Sequence, residues 1–97
     1  MKKEIELSEN AQSDLRESSE WYDDQKQGLG EEFIEDVQNT FNKISNNPYQ
    51  FQKVKGSVRR ALLQQFSFGV FYIIKNVKII VFRVVHTSRS PREWKLK

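Results

Sequence analysis

The chain has 97 residues, of which 37% are hydrophobic and 30% are charged. This composition is typical of a soluble folded protein, and the length allows one domain spanning residues 1–97. Cysteine is absent and histidine occurs once, so disulfides and thiolate metal sites are excluded, and we expect neither a metal nor another cofactor. No apolar run approaches the roughly 18 residues of a membrane span, and no apolar signal core follows the first residues. These features predict a cytoplasmic protein without a membrane partner.

The formal net charge of +3 conceals a strong asymmetry along the chain. Residues 1–48 contain five Lys or Arg and twelve Asp or Glu, a formal charge of −7. Residues 49–97 contain eleven Lys or Arg against Glu93 alone, a formal charge of +10. The two halves could neutralise each other on folding, but surface ion pairs stabilise proteins weakly. The excess of positive charge favours a polyanion or an acidic protein chain as partner of the basic half.

The first half of the chain predicts a strand followed by a helix. Lys3 to Leu7 alternates charged and apolar side chains, as a half-buried strand does. Ser8 is suited to cap the helix that follows, because its hydroxyl can accept a hydrogen bond from a free backbone N–H of the first turn. Small and apolar residues then recur at helical spacing on one face: Ala11, Leu15, Ser18 and Tyr22.

A second helix is predicted after a turn that contains Gly28 and Gly30, because glycine commonly ends a helix. We expect it to begin near Glu31 and to end before Pro48, which cannot continue a helix. Its buried face is marked by apolar residues at spacings of three and four: Phe33, Val37, Phe41 and Ile44. Two helices joined by a short glycine turn predict an antiparallel hairpin.

From Val58 onward the pattern changes to that of strands. Three runs rich in β-branched and aromatic residues predict strands at 58–66, 68–74 and 77–86, with Lys75-Asn76 as the turn before the last. The third run is apolar on both faces and therefore belongs in the middle of the sheet. The predicted order β-α-α-β-β-β gives an α+β fold, in which the helix hairpin packs on a twisted, mainly antiparallel sheet of four strands.

Short motifs follow one another along the chain. In the helical half they are Ala11-x-x-Asp14-Leu15, Trp21-Tyr22-x-x-Gln25 and Gly28-Leu29-Gly30-x-x-Phe33. In the second half they are Ile44-x-x-x-Pro48-x-x-Phe51, Arg59-Arg60-Ala61-Leu62, Phe66-x-Phe68-x-Val70-x-Tyr72 and Val85-His86-x-x-Arg89-x-Pro91-x-x-Trp94. No single motif is specific, but their order and spacing over essentially the whole chain resemble the RelE/ParE family of toxins. The fold of that family agrees with the predicted order of elements.

The resemblance implies the toxin of a type II toxin–antitoxin system, a growth inhibitor and plasmid stabiliser that a cognate antitoxin neutralises. In such pairs a C-terminal segment of the antitoxin wraps the toxin, and operator DNA is bound only through the antitoxin. A basic second half suits either that wrapping segment or a nucleic-acid target. The family divides between RelE-like members, which cleave mRNA on the translating ribosome, and ParE-like members, which inhibit DNA gyrase without nuclease chemistry.

The sequence offers candidates for metal-independent RNA cleavage, which needs a base, an acid and a cation at the phosphate. His86 is the candidate acid or base, because imidazole ordinarily exchanges protons near neutral pH. Arg59 and Arg89 are the candidate phosphate ligands, and Tyr72 could assist from the neighbouring strand. In a regular strand Arg83 lies on the face opposite His86. The two side chains can share a site only if the strand twists or bulges, so Arg83 is not among the candidates.

Two departures from the nuclease pattern weaken this hypothesis. Gly69 stands where RelE-type nucleases usually carry Arg or Lys, and Thr87 follows His86 where many carry an aromatic residue. A structural role for His86 is also expected, because it alternates with Phe82 and Val84 on an apolar strand face.

A ParE-like toxin requires only a basic and apolar binding surface, and we favour this branch over the nuclease. The residues predicted to bind the antitoxin or the target are Arg60, Arg89, Arg92, Phe68 and Trp94. Trp94 could instead anchor the end of the chain by packing. A third hypothesis is a family member that has lost toxicity and serves only to bind the antitoxin.

Overall fold

In the computed structural model, which describes residues 2–88, two helices cover one face of a five-stranded sheet. The strands are β1 Glu4–Leu7, β2 Lys53–Lys55, β3 Val58–Leu62, β4 Phe68–Lys75 and β5 Lys78–His86. The helices are α1 Glu9–Gln25 and α2 Leu29–Asn46, followed by a 3₁₀ turn at Pro48–Gln50. The α+β class, the helix hairpin and the order of the long elements are confirmed.

The order of strands across the sheet is β1-β5-β4-β3-β2. β1 runs parallel to β5, and the other neighbouring pairs are antiparallel. β5 lies inside the sheet, as its two apolar faces predict. The expected count of four strands is wrong by one, because β2 has only three residues with a lysine at each end, too few to show an alternating pattern. Such a short, charged edge strand discourages pairing with other chains.

The two helices approach each other closely near the turn between them. Ser8 caps α1 as predicted, its hydroxyl accepting a hydrogen bond from the N–H of Ala11. Gly28 has a φ of +89°, a left-handed conformation that favours glycine, and α2 begins two residues earlier than predicted. Gly30 therefore lies in the first turn of α2, where a Cβ would collide with the carbonyl oxygen of Ser19 in α1.

The main core lies between the helix hairpin and the sheet. Its most deeply buried residues are Ala11, Phe33, Val37, Ile44, Ala61, Val70, Tyr72, Ile79, Val81 and Val84. At one end the rings of Tyr22, Phe33, Phe66 and Phe68 contact one another, with centroids 4.8 to 6.1 Å apart. A smaller cluster, Phe71, Phe82 and Val85, is buried on the opposite face of the sheet. The apolar face predicted for α2 is confirmed as the main contact of that helix with the core.

An irregularity in β5 decides which side chains face the helices. Phe71 pairs with Arg83 and Tyr72 pairs with Val81, so Phe82 is an extra residue that forms a β-bulge. Because of the bulge, Val81 and Val84 both belong to the core under the helices, whereas Phe82 lies in the opposite cluster. The sequence-based expectation that Phe82 and Val84 share a face is therefore wrong.

The connection between β3 and β4 is held by a buried carboxylate. Asp36, on the inner face of α2, is only 4% exposed. Its two oxygens accept hydrogen bonds from three successive backbone N–H groups, those of Gln64, Gln65 and Phe66, at 2.8 to 3.3 Å. β3 consequently ends at Leu62, four residues before the predicted end, because the chain turns there to meet Asp36.

The hairpin between β4 and β5 turns one residue later than predicted. Lys75 pairs with Lys78, so the two-residue turn is Asn76-Val77. Asn76 has a φ of +57°, a conformation that asparagine tolerates better than most residues other than glycine.

We predict that replacing Asp36 with alanine destabilises the protein by about 3 kcal/mol, because three inward-facing N–H groups lose their acceptor. Urea unfolding followed by circular dichroism measures this difference. The matched control is Glu35→Ala on the exposed side of the same helix, which should stay within about 0.5 kcal/mol of the parent. Equal effects of the two substitutions would contradict the role assigned to Asp36.

Candidate functional site

The candidate site lies where β1 ends. Beyond this point β5 still pairs with β4, but on its other side it faces α1 instead of a strand. The pairing of β1 with β5 stops at Leu7 and Val81. Beyond that point Ser8 donates its hydroxyl hydrogen to the carbonyl oxygen of Phe82, at 3.0 Å. Asp14, one turn into α1, accepts a hydrogen bond from the N–H of Val84, at 2.9 Å. The side chains of Ser8 and Asp14 thus bind backbone groups of β5 that no neighbouring strand pairs on that side.

The same aspartate forms an ion pair with the bulged strand. The guanidinium of Arg83 donates from Nε to Oδ2 of Asp14 at 2.7 Å and from Nη2 to Oδ1 at 3.1 Å. The side chains of Asp14 and Arg83 are 14% and 18% exposed, and paired, planar contacts of this kind are among the stronger charge-assisted hydrogen bonds. The bulge therefore brings Arg83 to α1, but its charge is already matched by Asp14.

A groove of about 340 Å³ runs between α1 and the end of β5. We call it the α1/β5 groove. Its lining residues are Asp14, Glu17, Ser18, Trp21, Tyr22, Phe68, Val84, Val85 and His86. Burial raises the pKa of Tyr22 above the ordinary value for tyrosine, in keeping with its place at the inner end of the groove. Trp21 is 58% exposed, an unusual exposure for so large an apolar side chain.

His86 lines the α1/β5 groove at the end of β5. Its ring meets the ring of Phe68 edge-on, with centroids 5.3 Å apart. Its Nδ1 accepts a hydrogen bond from the backbone N–H of Ser88 at 3.1 Å, and the Ser88 hydroxyl lies 2.8 Å from the same nitrogen. An accepting Nδ1 places the proton of the neutral ring on Nε2. Among residues 2–88, Nε2 has no hydrogen-bond partner.

Tyr72 does not join His86. It is 0% exposed, and its hydroxyl donates to the carbonyl oxygen of Pro48 at 2.6 Å. Burial raises the pKa of Tyr72 to about 12, against a smaller opposing effect of the nearby Arg59 guanidinium. This hydrogen bond ties β4 to the 3₁₀ turn that follows α2, and it satisfies the buried hydroxyl.

Arg59 also lies apart from His86. Arg59 pairs with Tyr72 and His86 pairs with Phe68, so they lie on opposite sides of β4 and four residues apart along it. From the usual rise of about 3.3 Å per residue and spacing of about 4.8 Å between strands, their Cα atoms are roughly 16 Å apart. The Arg59 guanidinium donates to the carbonyl oxygens of Phe51, at 2.6 Å, and Tyr49, at 3.3 Å.

The remaining predicted site residues fall into two groups. Arg60 is exposed on β3, with the stem of its side chain over Gly69, while Phe68 is 6% exposed and contributes to the floor of the α1/β5 groove. Arg89, Arg92 and Trp94 lie outside the described residues. Of the residues predicted as a site, the structure brings Phe68 and His86 together and places Arg59, Arg60 and Tyr72 elsewhere.

Sequence reasoning missed three side chains that organise this region: Asp14, Glu17 and Trp21. Trp21 and Asp14 were visible only as parts of family-like motifs. A signal for Asp14 exists, because it lies three residues after buried Ala11, next to the inner stripe of α1. Its partner Arg83 could not be identified, because a regular strand directs that side chain away from α1.

Exposed acidic and basic residues lie on different surfaces of the molecule. The helices expose acidic residues: Glu9, Glu17, Glu20, Asp23, Asp24, Glu31, Glu32 and Glu35. The strands and their turns expose basic residues that include Lys53, Arg60, Lys75 and Lys78. Ion pairs between the halves include Lys78 with Glu6, at 3.3 Å, and Arg83 with Asp14.

Within residues 2–88 no three His, Asp or Glu side chains cluster to hold a metal ion, and neither helix there has the length and apolarity to cross a bilayer.

Residues 5–91 match the family described as the ParE toxin of the type II toxin–antitoxin system parDE. The chain belongs to this family. The resemblance to RelE/ParE toxins is thereby confirmed, and the ParE-like branch is consistent with the match. Among curated protein sequences none matches the chain.

Solved structures share the fold of this ParE-family toxin at low sequence identity. A chain of the chromosomal ParDE toxin–antitoxin system from P. aeruginosa has a TM-score of 0.77 and 15% identity, covering 87% of this chain and 95% of that one. A chain of the RelBE2 toxin–antitoxin complex from Mycobacterium tuberculosis has a TM-score of 0.64 and 13% identity, covering 89% and 99%. A conserved hypothetical protein from Helicobacter pylori has a TM-score of 0.59 and 17% identity, covering 90% and 97%.

We predict that Tyr72→Phe lowers the free energy of unfolding by about 1 kcal/mol at neutral pH, because the hydrogen bond to Pro48 is lost while the ring remains. The pKa of Tyr72 is raised from its ordinary value of 10.0 to about 12 in the folded protein. The contribution of this group to stability is therefore fully present below pH 10 and is lost as the pH rises toward 12. Urea unfolding at several pH values between 7 and 11 should therefore show a smaller alkaline loss for Tyr72→Phe than for the parent. Tyr49→Phe, at a 60% exposed position, is the control and should change little.

Proposed function

We propose that this ParE-family toxin arrests bacterial growth in the cytoplasm by binding and inhibiting DNA gyrase, and that a cognate antitoxin neutralises it. Gyrase is the target that the ParE-like branch of the family implies. This activity requires a binding surface and no catalytic group, so it is compatible with a site that holds its polar side chains in structural contacts.

The observation that carries the proposal is the separation of the three candidate nuclease residues that lie within residues 2–88. Cleavage of RNA would require an acid or base and a cation within reach of one phosphate. Arg59 lies roughly 16 Å from His86 by strand geometry, and its guanidinium already binds two backbone carbonyls. Tyr72 is fully buried. These three side chains do not converge on a phosphate in this arrangement.

The contacts of His86 and Arg83 support the same conclusion. A general base needs a free lone pair, but Nδ1 of His86 accepts from the backbone of Ser88, and Nε2 then carries the proton. Arg83 is the cation that the bulge brings to the groove side, and it pairs with Asp14. These contacts oppose a role for Nδ1 of His86 as general base and for Arg83 as a free phosphate ligand.

An antitoxin partner is supported by the family and by the surface charge. Two of the similar solved structures come from ParDE and RelBE systems, and the second is described as a toxin–antitoxin complex. The basic residues exposed on the sheet would attract an acidic segment of the antitoxin and speed its association. Operator DNA would then be contacted through the antitoxin.

We predict that the purified toxin inhibits the supercoiling of relaxed plasmid DNA by gyrase, and that adding the antitoxin restores supercoiling. Agarose gels of the plasmid products measure both effects. In cells, induction should arrest growth and induce a DNA-damage response while translated mRNAs stay intact. New mRNA ends inside codons, found only on translated messages, would contradict the proposal and identify the ribosome-dependent nuclease instead. Normal growth and normal supercoiling would identify a non-toxic antitoxin-binding protein.

A pair of substitutions separates the two mechanisms further. His86→Asn keeps a side-chain oxygen able to accept from the N–H of Ser88, whereas it removes acid–base chemistry. We predict that His86→Asn and Arg59→Lys retain growth arrest at the induction level that arrests cells with the parent. A nuclease that uses these groups should instead lose about 100-fold or more of its activity, so escape from arrest by soluble His86→Asn would refute the gyrase proposal.

A further inference from the structure

We infer that the α1/β5 groove is a binding site for the antitoxin, into which the antitoxin inserts a lysine or arginine side chain together with a neighbouring apolar side chain. The inference rests on the proposed antitoxin partnership and adds to it a place and a chemistry. The charge of the sheet alone would predict only acidic residues on the antitoxin. The groove adds a basic residue of the antitoxin to that expectation.

The floor of the groove provides the apolar half of the site. Phe68 and Val84 are 6% and 1% exposed, and both line the groove with Tyr22. Trp21 stands at the rim with 58% of its surface exposed, and its ring meets the ring of Tyr22 edge-on at 5.1 Å. A large, exposed aromatic ring beside an apolar floor is typical of the residues that dominate the energy of protein interfaces.

The wall formed by α1 provides the charge. Asp14 also lines the groove, but its carboxylate is matched by Arg83 and by the N–H of Val84. Glu17 is exposed, and among residues 2–88 it forms no ion pair. It lies one helical turn before Trp21, so the carboxylate and the indole ring are neighbours on the same helix face. A cation placed between them would gain an ion pair and a cation–π contact at once.

The surroundings of Glu17 favour a cation over any other occupant. Glu20 and Asp24 are exposed on the same helix as Glu17, and their summed field repels an acidic side chain. His86 contributes a ring whose Nε2 can donate to a backbone carbonyl of the inserted segment while Nδ1 accepts from Ser88. The groove volume of about 340 Å³ lies at the small end of the range of roughly 300–1,000 Å³ for small-molecule pockets. It accommodates one or two side chains rather than a whole helix.

The test measures the affinity of the full-length toxin for the product of the reading frame beside its gene, by isothermal titration calorimetry. We expect Glu17→Lys and Trp21→Ala each to raise the Kd by about tenfold or more, as central interface residues do. The matched controls are Glu31→Lys, the same charge change at an exposed position of α2, and Tyr49→Ala, the loss of an exposed aromatic ring elsewhere. Both controls should stay within about threefold of the parent.

A second variant of Glu17 distinguishes the effect of its charge on the Kd from the effects of side-chain shape and of folding. Glu17→Gln keeps the size of the side chain and removes its charge, so its effect on the Kd should shrink as the salt concentration rises, since salt screens the lost attraction. Glu17 and Trp21 are exposed, and circular dichroism with thermal unfolding should show that their variants fold as the parent does. A charge reversal on the antitoxin, of the lysine or arginine that the groove receives, should restore the affinity of Glu17→Lys.

Photocrosslinking identifies the occupant directly, with p-benzoylphenylalanine in place of Trp21. An adduct on an antitoxin peptide that contains lysine or arginine supports the inference. An adduct on residues 89–97 of the toxin itself, which include Arg89, Arg92 and Trp94, would overturn it in favour of the chain's own end. If the parent binds and the groove variants bind equally well, the groove inference alone fails. If the parent does not bind the neighbouring product at all, the antitoxin proposal fails with it.

Discussion

The contact between α1 and the end of β5 depends on one carboxylate, that of Asp14, at the point where β1 ends. β5 continues past β1 and would leave the backbone of Val84 without a partner on that side. Asp14 accepts that N–H and holds the Arg83 guanidinium with both of its oxygens. The helix is thereby fixed to the strand, the bulge at Phe82 is kept, and the end of β5 with His86 is directed toward α1.

Other aspartates of the acidic half perform comparable structural tasks. Asp36 binds three backbone N–H groups of the connection between β3 and β4. Asp23, near the end of α1, accepts from the N–H of Gly30 at 2.7 Å and so joins the two helices. Buried backbone donors need such acceptors wherever regular pairing stops. Part of the acidic charge of the first half is therefore structural, while the exposed glutamates remain available to partners.

The described part of the site holds its candidate catalytic groups in structural contacts. Three of the candidate catalytic groups lie within residues 2–88, and each has a structural partner: Tyr72 binds Pro48, Arg59 binds two carbonyls, and the Nδ1 of His86 binds Ser88. The groups left accessible at the groove are a carboxylate and an indole, Glu17 and Trp21. Side chains of these types are common in protein interfaces, in keeping with the antitoxin-binding role proposed for the groove of this ParE-family toxin.

The sequence by itself determined the fold class, the helix hairpin, the cap at Ser8 and the place of β5 inside the sheet, because these depend on local patterns of apolar residues and on local hydrogen bonds. Its motifs also determined the family. Tertiary structure alone decided the site. The bulge at Phe82 shifts one strand face by a residue, and alternation counted along the sequence cannot detect such a shift. The distance between Arg59 and His86 depends on strand register, and the pairing of Asp14 with Arg83 joins residues 69 positions apart. Contacts of that separation are fixed by packing, not by neighbouring residues.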